Sequence, residues 1–242
     1  MDLIVLGSNG PYPSPYGATA GYLALTSGGY FALDMGSGVF SRLSKLTAPE
    51  KIRGIVLSHL HYDHICDLGV FNYYLEYLTK NRRFKGKVPV YLPAEAEPQE
   101  VVDLRIRYPY FDFVPVVTGK KYELSGVTFE FEKLRHSAVN YGVRVTDGKS
   151  RLVYSGDTNV CAGLKKLLSA CDLWLCGAPF LGDEYKEKGY HLGVEIAEEL
   201  AEEYDVRTVI SHLVPVHTVK EYRAACYSAY VEIAEAFKTY HL

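Results

Sequence analysis

The sequence predicts an α/β or α+β fold in which strands and helices pack in layers. Short runs of β-branched and aromatic residues indicate strands along most of the chain, and helix-spaced apolar residues follow strands in both halves. Of the 242 residues, 48% are hydrophobic and 23% are charged, which is the balance of a globular protein. This length is sufficient for a core several layers thick, so a disordered or fibrous chain is excluded.

The predicted strands and helices follow one another in this order. Runs rich in β-branched and aromatic residues predict strands over 2–6, 21–25, 30–34, 53–58, 88–92, 112–117, 121–124, 127–133, 141–146, 151–155, 172–176 and 206–211. Apolar residues at helical spacing predict helices over 38–47, 64–79, 94–107, 160–170, 192–204 and 218–240. The helix over 218–240 has the clearest pattern, because its apolar residues share one broad face. The Pro- and Gly-rich residues 7–17 predict a surface loop.

Charge, cysteine content and the first residues exclude several classes of protein. With 26 Lys and Arg against 29 Asp and Glu, the formal charge is −3, which disfavours a large nucleic-acid footprint. The apolar run 3–6 is too short for a signal peptide or a membrane span. The five cysteines form no C-x-x-C pair, so a disulfide framework is not expected. We therefore predict a cytoplasmic protein with no membrane partner.

One short segment occurs twice and suggests two related halves. Residues 56–60 (VLSHL) match residues 209–213 (VISHL), and Asp34 and Asp157 end two further predicted strands. Four strand ends, two in each half, thus present side chains that can bind a metal ion. We predict a single domain over 1–242 whose halves share one site; chance similarity of short apolar runs is the alternative.

The segment His59-Leu60-His61-Tyr62-Asp63-His64 is the strongest indication of chemistry. In an extended chain residues i and i+2 point the same way, so His59 and His61 can bind one ion together. Asp63 and His64 follow where a helix is predicted to begin, and can face a second ion. Imidazole and carboxylate groups suit Zn²⁺, Fe and Mn. The chance of finding this spacing at random is about 4 × 10⁻⁴, so the segment predicts a metal site.

Further residues that can bind metal occur in an order typical of one family. They are Asp34, the 59–64 segment, His136, Asp157 and His212. With them the sequence resembles the metallo-β-lactamase superfamily over nearly its whole length. Residues 6–8 (LGS) and 189–191 (GYH) make it most similar to the branch that contains RNase Z-type tRNA 3′-processing endonucleases and small phosphodiesterases. The resemblance implies a four-layer αββα sandwich with the site at one edge.

The resemblance also implies two divalent metal ions, with Zn²⁺ expected and Mn or Fe as alternatives. The ligands so implied are His59, His61 and His136 for one ion and Asp63, His64 and His212 for the other, with Asp157 bridging them. Asp34 would be an outer carboxylate that orients a ligand or the bound water. The catalytic residues implied in this way are Asp34, Asp63 and His191.

The charge of such a site favours hydrolysis of an anion. Two divalent ions, the carboxylates of Asp63 and Asp157, and a bridging hydroxide leave about one net positive charge. Paired ions also lower the pKa of bound water toward ~7 and polarise the bond under attack. We therefore predict a metal-bridged hydroxide that attacks phosphorus or a carbonyl carbon, with a small or cyclic phosphodiester as the preferred substrate.

His191 has two interpretations, and the histidines beyond it have one. In the phosphodiesterase branch, a histidine after glycine contacts the scissile phosphate and helps to protonate the leaving oxygen, which would make His191 a general acid. Alternatively, His191 only begins or packs against the predicted helix 192–204. His217 and His241 match no family position, and surface or packing roles are predicted for them.

Three other functions remain open besides the small-molecule phosphodiesterase. A tRNA 3′-processing endonuclease would need a long tRNA-gripping arm between His136 and Asp157, which are only 21 positions apart in the sequence. Hydrolysis of a thioester or a lactam would use the same metals. A non-catalytic metal-binding protein, the third alternative, is disfavoured because every expected ligand is present. tRNA is therefore not expected to be a partner.

Tyrosine is unusually frequent, with 21 residues. The aromatic side chains of 71–78 (FNYYLEYL) follow the metal motif on the same predicted helix and point to too many faces for one core. We expect some of them to form a homodimer interface, as the resemblance also implies. Tyr12 and Tyr16 are candidates to line the mouth of the site and stack on a base. Simple packing and exposure to solvent are the alternative.

Overall fold

Two mixed β-sheets pack against each other and carry helices on their outer faces. The computed structural model describes residues 1–95 and 98–242, in which each sheet has seven strands. The strands are β1 (Asp2–Gly7), β2 (Gly21–Thr26), β3 (Gly29–Leu33), β4 (Ile52–Val56), β5 (Val88–Pro93), β6 (Phe111–Val116), β7 (Lys121–Leu124), β8 (Val127–Leu134), β9 (Asn140–Thr146), β10 (Arg151–Asp157), β11 (Leu173–Gly177), β12 (Arg207–Ser211), β13 (Val231–Ile233) and β14 (Thr239–His241). The helices are α1 (Val39–Leu46), α2 (Tyr62–Ile65), α3 (Leu68–Lys80), α4 (Pro98–Arg107), α5 (Ala162–Leu168), α6 (Val194–Glu203) and α7 (Val219–Ala225).

Three hydrophobic clusters separate the layers. The central one joins inward-facing residues of both sheets, for example Phe31 on β3 with Phe129 on β8, whose ring centroids are 5.2 Å apart. The second cluster joins the outer face of the first sheet to α1, α3 and α4, and the third joins the second sheet to α5, α6 and α7. This is the αββα sandwich that the resemblance implies. Alternate side chains of each strand point to opposite faces of its sheet, so one set packs between the sheets and the other packs under the helices.

The two sheets repeat one pattern of strand pairing. The first has the order β14-β1-β2-β3-β4-β5-β6 and the second β7-β8-β9-β10-β11-β12-β13. In both, three antiparallel pairs are followed by three parallel pairs. Asp34, directly after β3, and Asp157, the last residue of β10, thus lie at the ends of equivalent strands. The repeated histidines His59 and His212 instead follow β4 and β12, which are not equivalent. One domain of two related halves stays a prediction, supported by the sheet pattern rather than by the repeated segment.

All predicted strands coincide with observed ones, but the predicted helix over 218–240 is wrong. Helix α7 begins at a capping box formed by Thr218 and Glu221 and ends at Ala225. The chain then forms β13, which pairs in parallel with β12, and β14, which pairs antiparallel with β1. Each strand extends an edge of a sheet, and this pairing outweighs the helical spacing of the apolar residues.

Two other predicted helices differ from the observed ones at their boundaries. The helix over 64–79 is divided into α2 and α3 at Asp67, whose carboxylate accepts a hydrogen bond of 2.8 Å from the backbone N–H of Phe40. The helix over 94–107 begins at Pro98, because residues 94–95 form a turn, while residues 96–97 lie outside the described residues. No helix in the part of the chain that the structure describes is long and apolar enough to cross a membrane.

Two buried tyrosines connect the sheets in opposite directions. Tyr22 on β2 of the first sheet hydrogen-bonds with Ser211 on β12 of the second, at 2.7 Å between hydroxyl oxygens. Tyr154 on β10 of the second sheet donates a hydrogen bond of 2.5 Å to the carboxylate of Asp34, which follows β3 of the first. The two rings touch, with centroids 5.2 Å apart. The crossed pair therefore ties together the strand ends of both sheets at one edge of the sandwich.

Removal of the Tyr154 hydroxyl tests this connection between the sheets. We expect Tyr154→Phe to lower the free energy of unfolding by about 1.5–3 kcal/mol, because the buried carboxylate of Asp34 loses a donor. Urea unfolding followed by circular dichroism measures the change. Tyr227→Phe is the matched control, since this side chain is 88% exposed and should leave stability unchanged. Equal stability of the two variants would contradict a role of the hydroxyl in holding the sheets.

Candidate metal centre

The predicted site residues meet at one edge of the sandwich, where strands of both sheets end. Asp34 follows β3, residues 59–64 follow β4 and begin α2, His136 follows β8, Asp157 ends β10, and His212 follows β12. Carboxyl ends of strands that gather at one edge are a common place for a site, because the following loops are free to carry functional side chains.

The backbone at two of these strand ends is held in an uncommon conformation. Asp34 and His212 have φ of 57° and 59°, in the left-handed region that non-glycine residues rarely adopt. Hydrogen bonds from Asp34 N–H to Val56 O and from Leu213 N–H to Ser8 O hold the chain there. Gly10 packs on the His212 ring so closely that a Cβ would lie 2.2 Å from it. Both conformations are thus imposed by neighbouring strands and loops.

His59, His61 and His136 form the first group of potential ligands. The Nδ1 atom of His61 lies 3.0 Å from Nε2 of His59 and 3.2 Å from Nε2 of His136. Burial lowers the pKa of His59 well below its usual value and lowers the pKa of His136 to about 4. Neutral imidazoles with converging nitrogen atoms are the form in which histidine binds a metal ion.

Asp63, His64, Asp157 and His212 form the second group. Nε2 of His212 lies 3.1 Å from a carboxylate oxygen of each aspartate, and Nε2 of His64 lies 3.4 Å from the same two oxygens. Burial by itself would lower the pKa of His212, but the charge of Asp157 raises it to about 9. The same competition raises the pKa of His64. The neighbouring carboxylates of Asp63 and Asp157 are therefore stabilised by positive charge, which protons on the histidines or a bound cation can supply.

Asp157 lies between the two groups. Its Oδ2 atom is 3.4 Å from Nε2 of His64 and 3.1 Å from Nε2 of His212 in the second group, and 4.0 Å from Nε2 of His59 in the first. Nε2 of His64 is buried and has no hydrogen-bond partner among the described residues. This donor set, with imidazole and carboxylate atoms converging from several sides, fits divalent metal ions.

Asp34 lies behind the second group and does not face the first. One of its oxygens accepts a hydrogen bond of 2.8 Å from Ser58 N–H; the other accepts bonds from the Ser58 and Tyr154 hydroxyls and lies 2.6 Å from Nδ1 of His64. A proton on that Nδ1 leaves Nε2 of His64 as the metal-binding atom. Sequence reasoning did not find Ser58 and Tyr154 as parts of this network. The only feature of the sequence that could have indicated them is a hydroxyl-bearing residue within an apolar strand or directly after it.

His191 lies at the mouth of the site, next to the second group. Its Nδ1 is 3.8 Å from Oδ2 of Asp157 and has no hydrogen-bond partner among the described residues. Its ring stacks near His212, at 5.6 Å between centroids, and α6 begins only three residues later. The side-chain amide of Asn159 donates to the carbonyl groups of residues 186, 187 and 189, which fixes the preceding loop. The ring therefore faces the site rather than the helix.

A cavity of about 460 Å³ opens onto the two groups. Its lining comprises Pro11, Tyr12, His61, Asp63, His136, Ser137, Asp157, Pro179, Phe180, His191, His212 and Val214. Tyr12 thus lines the mouth as predicted, but Tyr16 does not, because it is fully exposed outside the lining. His217 and His241 lie elsewhere, 2.9 Å from Glu184 and 2.8 Å from Asp2, as expected for surface residues. Sequence reasoning did not find Pro179, Phe180 and Val214.

Known proteins share this architecture. The family model described as a beta-lactamase superfamily domain matches residues 33–218. The "probable metallo-hydrolase YhfI" of Bacillus subtilis (strain 168) is 29% identical over 212 residues, which cover 84% of this chain and 82% of the relative. The crystal structure of YhfI superimposes with a TM-score of 0.90 at 23% identity, over 99% of this chain and 98% of that one.

Two further solved structures share the fold at lower identity. A diphosphatase of the PhnP family has a TM-score of 0.77 at 18% identity, over 100% of this chain and 97% of that one. The short form of human tRNase Z has a TM-score of 0.73 at 20% identity, over 100% and 99%. Since the family model matches residues 33–218, which include the ligand groups described above, the protein belongs to the beta-lactamase superfamily.

Proposed function

We propose that the protein is a dinuclear metal-dependent phosphodiesterase that acts on a small or cyclic phosphodiester. The observation that carries the proposal is the pair of ligand groups joined by Oδ2 of Asp157 at the base of a cavity. Zn²⁺ is the expected metal, with Mn or Fe as alternatives. Two divalent ions held by these residues would lower the pKa of bound water and stabilise the negative charge that develops on a phosphoryl group.

The residues of the site would bind the two ions, orient one of the ligands and donate a proton to the leaving group. His59, His61 and His136 would bind one ion, Asp63, His64 and His212 the other, and Asp157 both. Asp34 accepts the Nδ1 proton of His64 and so presents Nε2 to the site. His191 can donate a proton to the leaving oxygen, because its unpartnered Nδ1 faces the same space as the ligands.

The segment between the ligands His136 and Asp157 supports a small substrate over tRNA. It consists of β9 and β10 joined by a tight turn at 147–150, and it adds no arm to the structure. The formal charge of −3 provides no broad basic surface for a polynucleotide either. The likeness to human tRNase Z nevertheless favours tRNA 3′-end cleavage as a second candidate function.

Partner and location remain predictions. A small anionic substrate is supported by the cavity, and a homodimer by the exposed tyrosines of α3, of which Tyr73 is 73% and Tyr77 64% exposed. Phe71 and Leu75 of the same helix point into the core instead. The cytoplasmic location is supported by five free cysteines.

A substrate panel tests the activity on one zinc-loaded preparation. We expect turnover of bis(4-nitrophenyl) phosphate and none of a thioester, a lactam or a precursor tRNA with a 3′ trailer. Cleavage of the precursor tRNA alone would favour the second candidate function. Turnover of only the thioester or the lactam would reject the phosphodiesterase while keeping the hydrolase. No turnover by a fully metallated sample would favour a metal-binding protein without catalysis.

Asp157→Ala tests the bridging role. We expect the variant to retain fewer metal ions per chain than the wild type and to lose at least about 10³-fold in kcat, because both ligand groups lose their shared oxygen. Metal content by plasma mass spectrometry is read beside kcat. Asp112→Ala, at an exposed position on β6, is the matched control. Wild-type turnover by an Asp157→Ala sample that contains no metal would reject the proposed mechanism.

His191→Ala tests the general acid. We expect kcat to fall by about 10²-fold or more for a diester with an alkoxide leaving group and far less for one with 4-nitrophenolate, which leaves without a proton. Metal content should stay at the wild-type level, and His217→Ala should change neither quantity. Loss of metal in His191→Ala would instead make His191 a ligand, and equal losses for both leaving groups would reject proton donation.

A further inference from the structure

The wall of the cavity above the ligand groups is largely apolar. Apart from Ser137 and the ionisable residues at its base, the lining consists of Pro11, Tyr12, Pro179, Phe180 and Val214. No Lys or Arg is among the described residues that line it. A substrate in this cavity therefore meets charge at its reacting group and apolar surface beyond it.

This wall is held in place before any substrate arrives. The buried hydroxyl of Tyr222 donates a hydrogen bond of 2.7 Å to the carbonyl of Pro179 and accepts one of 3.0 Å from the N–H of Val214. The Phe180 carbonyl accepts a hydrogen bond of 2.9 Å from the N–H of Val194, the first residue of α6. The Phe180 ring lies edge-to-face on the His191 ring, at 5.8 Å between centroids. Hydrogen bonds thus join residues 179–180, Val214 and the start of α6 before a substrate binds.

The lack of basic side chains in the lining restricts the charge of the substrate. A second negative group, away from the reacting phosphoryl group, would leave water without gaining a cationic partner. An apolar or aromatic substituent would instead be buried against Phe180 and its neighbours, and aromatic pairs gain further from edge-to-face contact. The wall thus favours a substrate with one charge and one apolar group.

We propose that this wall, with Phe180 as its principal contact, selects monoanionic phosphodiesters that carry an uncharged apolar or aromatic substituent. The inference rests on the proposed phosphodiesterase function. It adds a specificity determinant to that function, because Phe180 contacts the substituent and not the metal ligands. It also implies that a carboxylate placed on that substituent weakens turnover.

Three diesters that share the 4-nitrophenolate leaving group test the inference: the methyl, phenyl and 4-carboxyphenyl esters of 4-nitrophenyl phosphate. We expect Phe180→Ala to lower the ratio of kcat/KM for phenyl over methyl by about fivefold or more, and Phe180→Leu to lower it less. The intrinsic reactivity of each ester cancels when variant and wild type are compared. In the wild type, we expect the carboxyphenyl ester to have a kcat/KM about tenfold below the phenyl ester.

The controls separate this inference from the function on which it rests. Tyr227→Ala removes an exposed ring outside the cavity and should keep the wild-type ratio, and metal content verifies that each variant is folded and loaded. If the wild type hydrolyses none of the three esters, the proposed function fails. If it hydrolyses them and neither Phe180 variant changes the phenyl-to-methyl ratio, the function stands and the inference is overturned. Equal kcat/KM for the phenyl and carboxyphenyl esters would overturn it as well.

Discussion

The buried carboxylate of Asp34 is the interaction on which the rest of the site depends. It lies just after β3, is fully buried, and accepts hydrogen bonds from Ser58 after β4 and from Tyr154 on the opposite sheet. A buried carboxylate without such donors would be strongly destabilising, so these contacts hold both sheets in one arrangement. The same carboxylate orients His64. Fold stability and ligand geometry therefore share one group.

The charge of the second ligand group couples folding to metal binding in a similar way. Asp63 and Asp157 are brought together by α2 and β10. The charge of Asp157 raises the pKa values of His64 and His212 against the effect of burial, with Asp34 adding to it at His64 and a hydrogen bond with Asp63 adding to it at His212. Protons on these rings balance the carboxylates, and a divalent ion held by the same residues would supply that positive charge instead. Binding of such an ion would therefore displace protons and favour the folded chain, which is the usual linkage for a metal site.

Different parts of the fold supply the candidate metal ligands and the apolar wall of the cavity. The candidate ligands come from the strand ends and from α2, which follows β4, whereas the apolar wall comes from the loops that follow β1, β11 and β12. The buried Tyr222 hydrogen-bonds to the loops that follow β11 and β12, so this part of the wall is held together without a substrate. Chemistry and specificity can then change independently, because a loop residue such as Phe180 can be replaced without disturbing a strand.

Local sequence was enough to predict the twelve strands found by their residue types, the layered class and the 59–64 segment as a candidate metal site; the full ligand set came from the resemblance to the superfamily and stays a prediction. A motif such as residues 59–64 carries its geometry in its spacing, because an extended chain turns alternate side chains the same way. Only tertiary structure decided that the predicted helix ends at Ala225 and is followed by the edge strands β13 and β14, because free edges of both sheets pair with them. It also decided that Tyr154 reaches Asp34, 120 positions away along the chain, and that Phe180 faces the cavity. Such contacts depend on how two sheets pack, which no local pattern encodes.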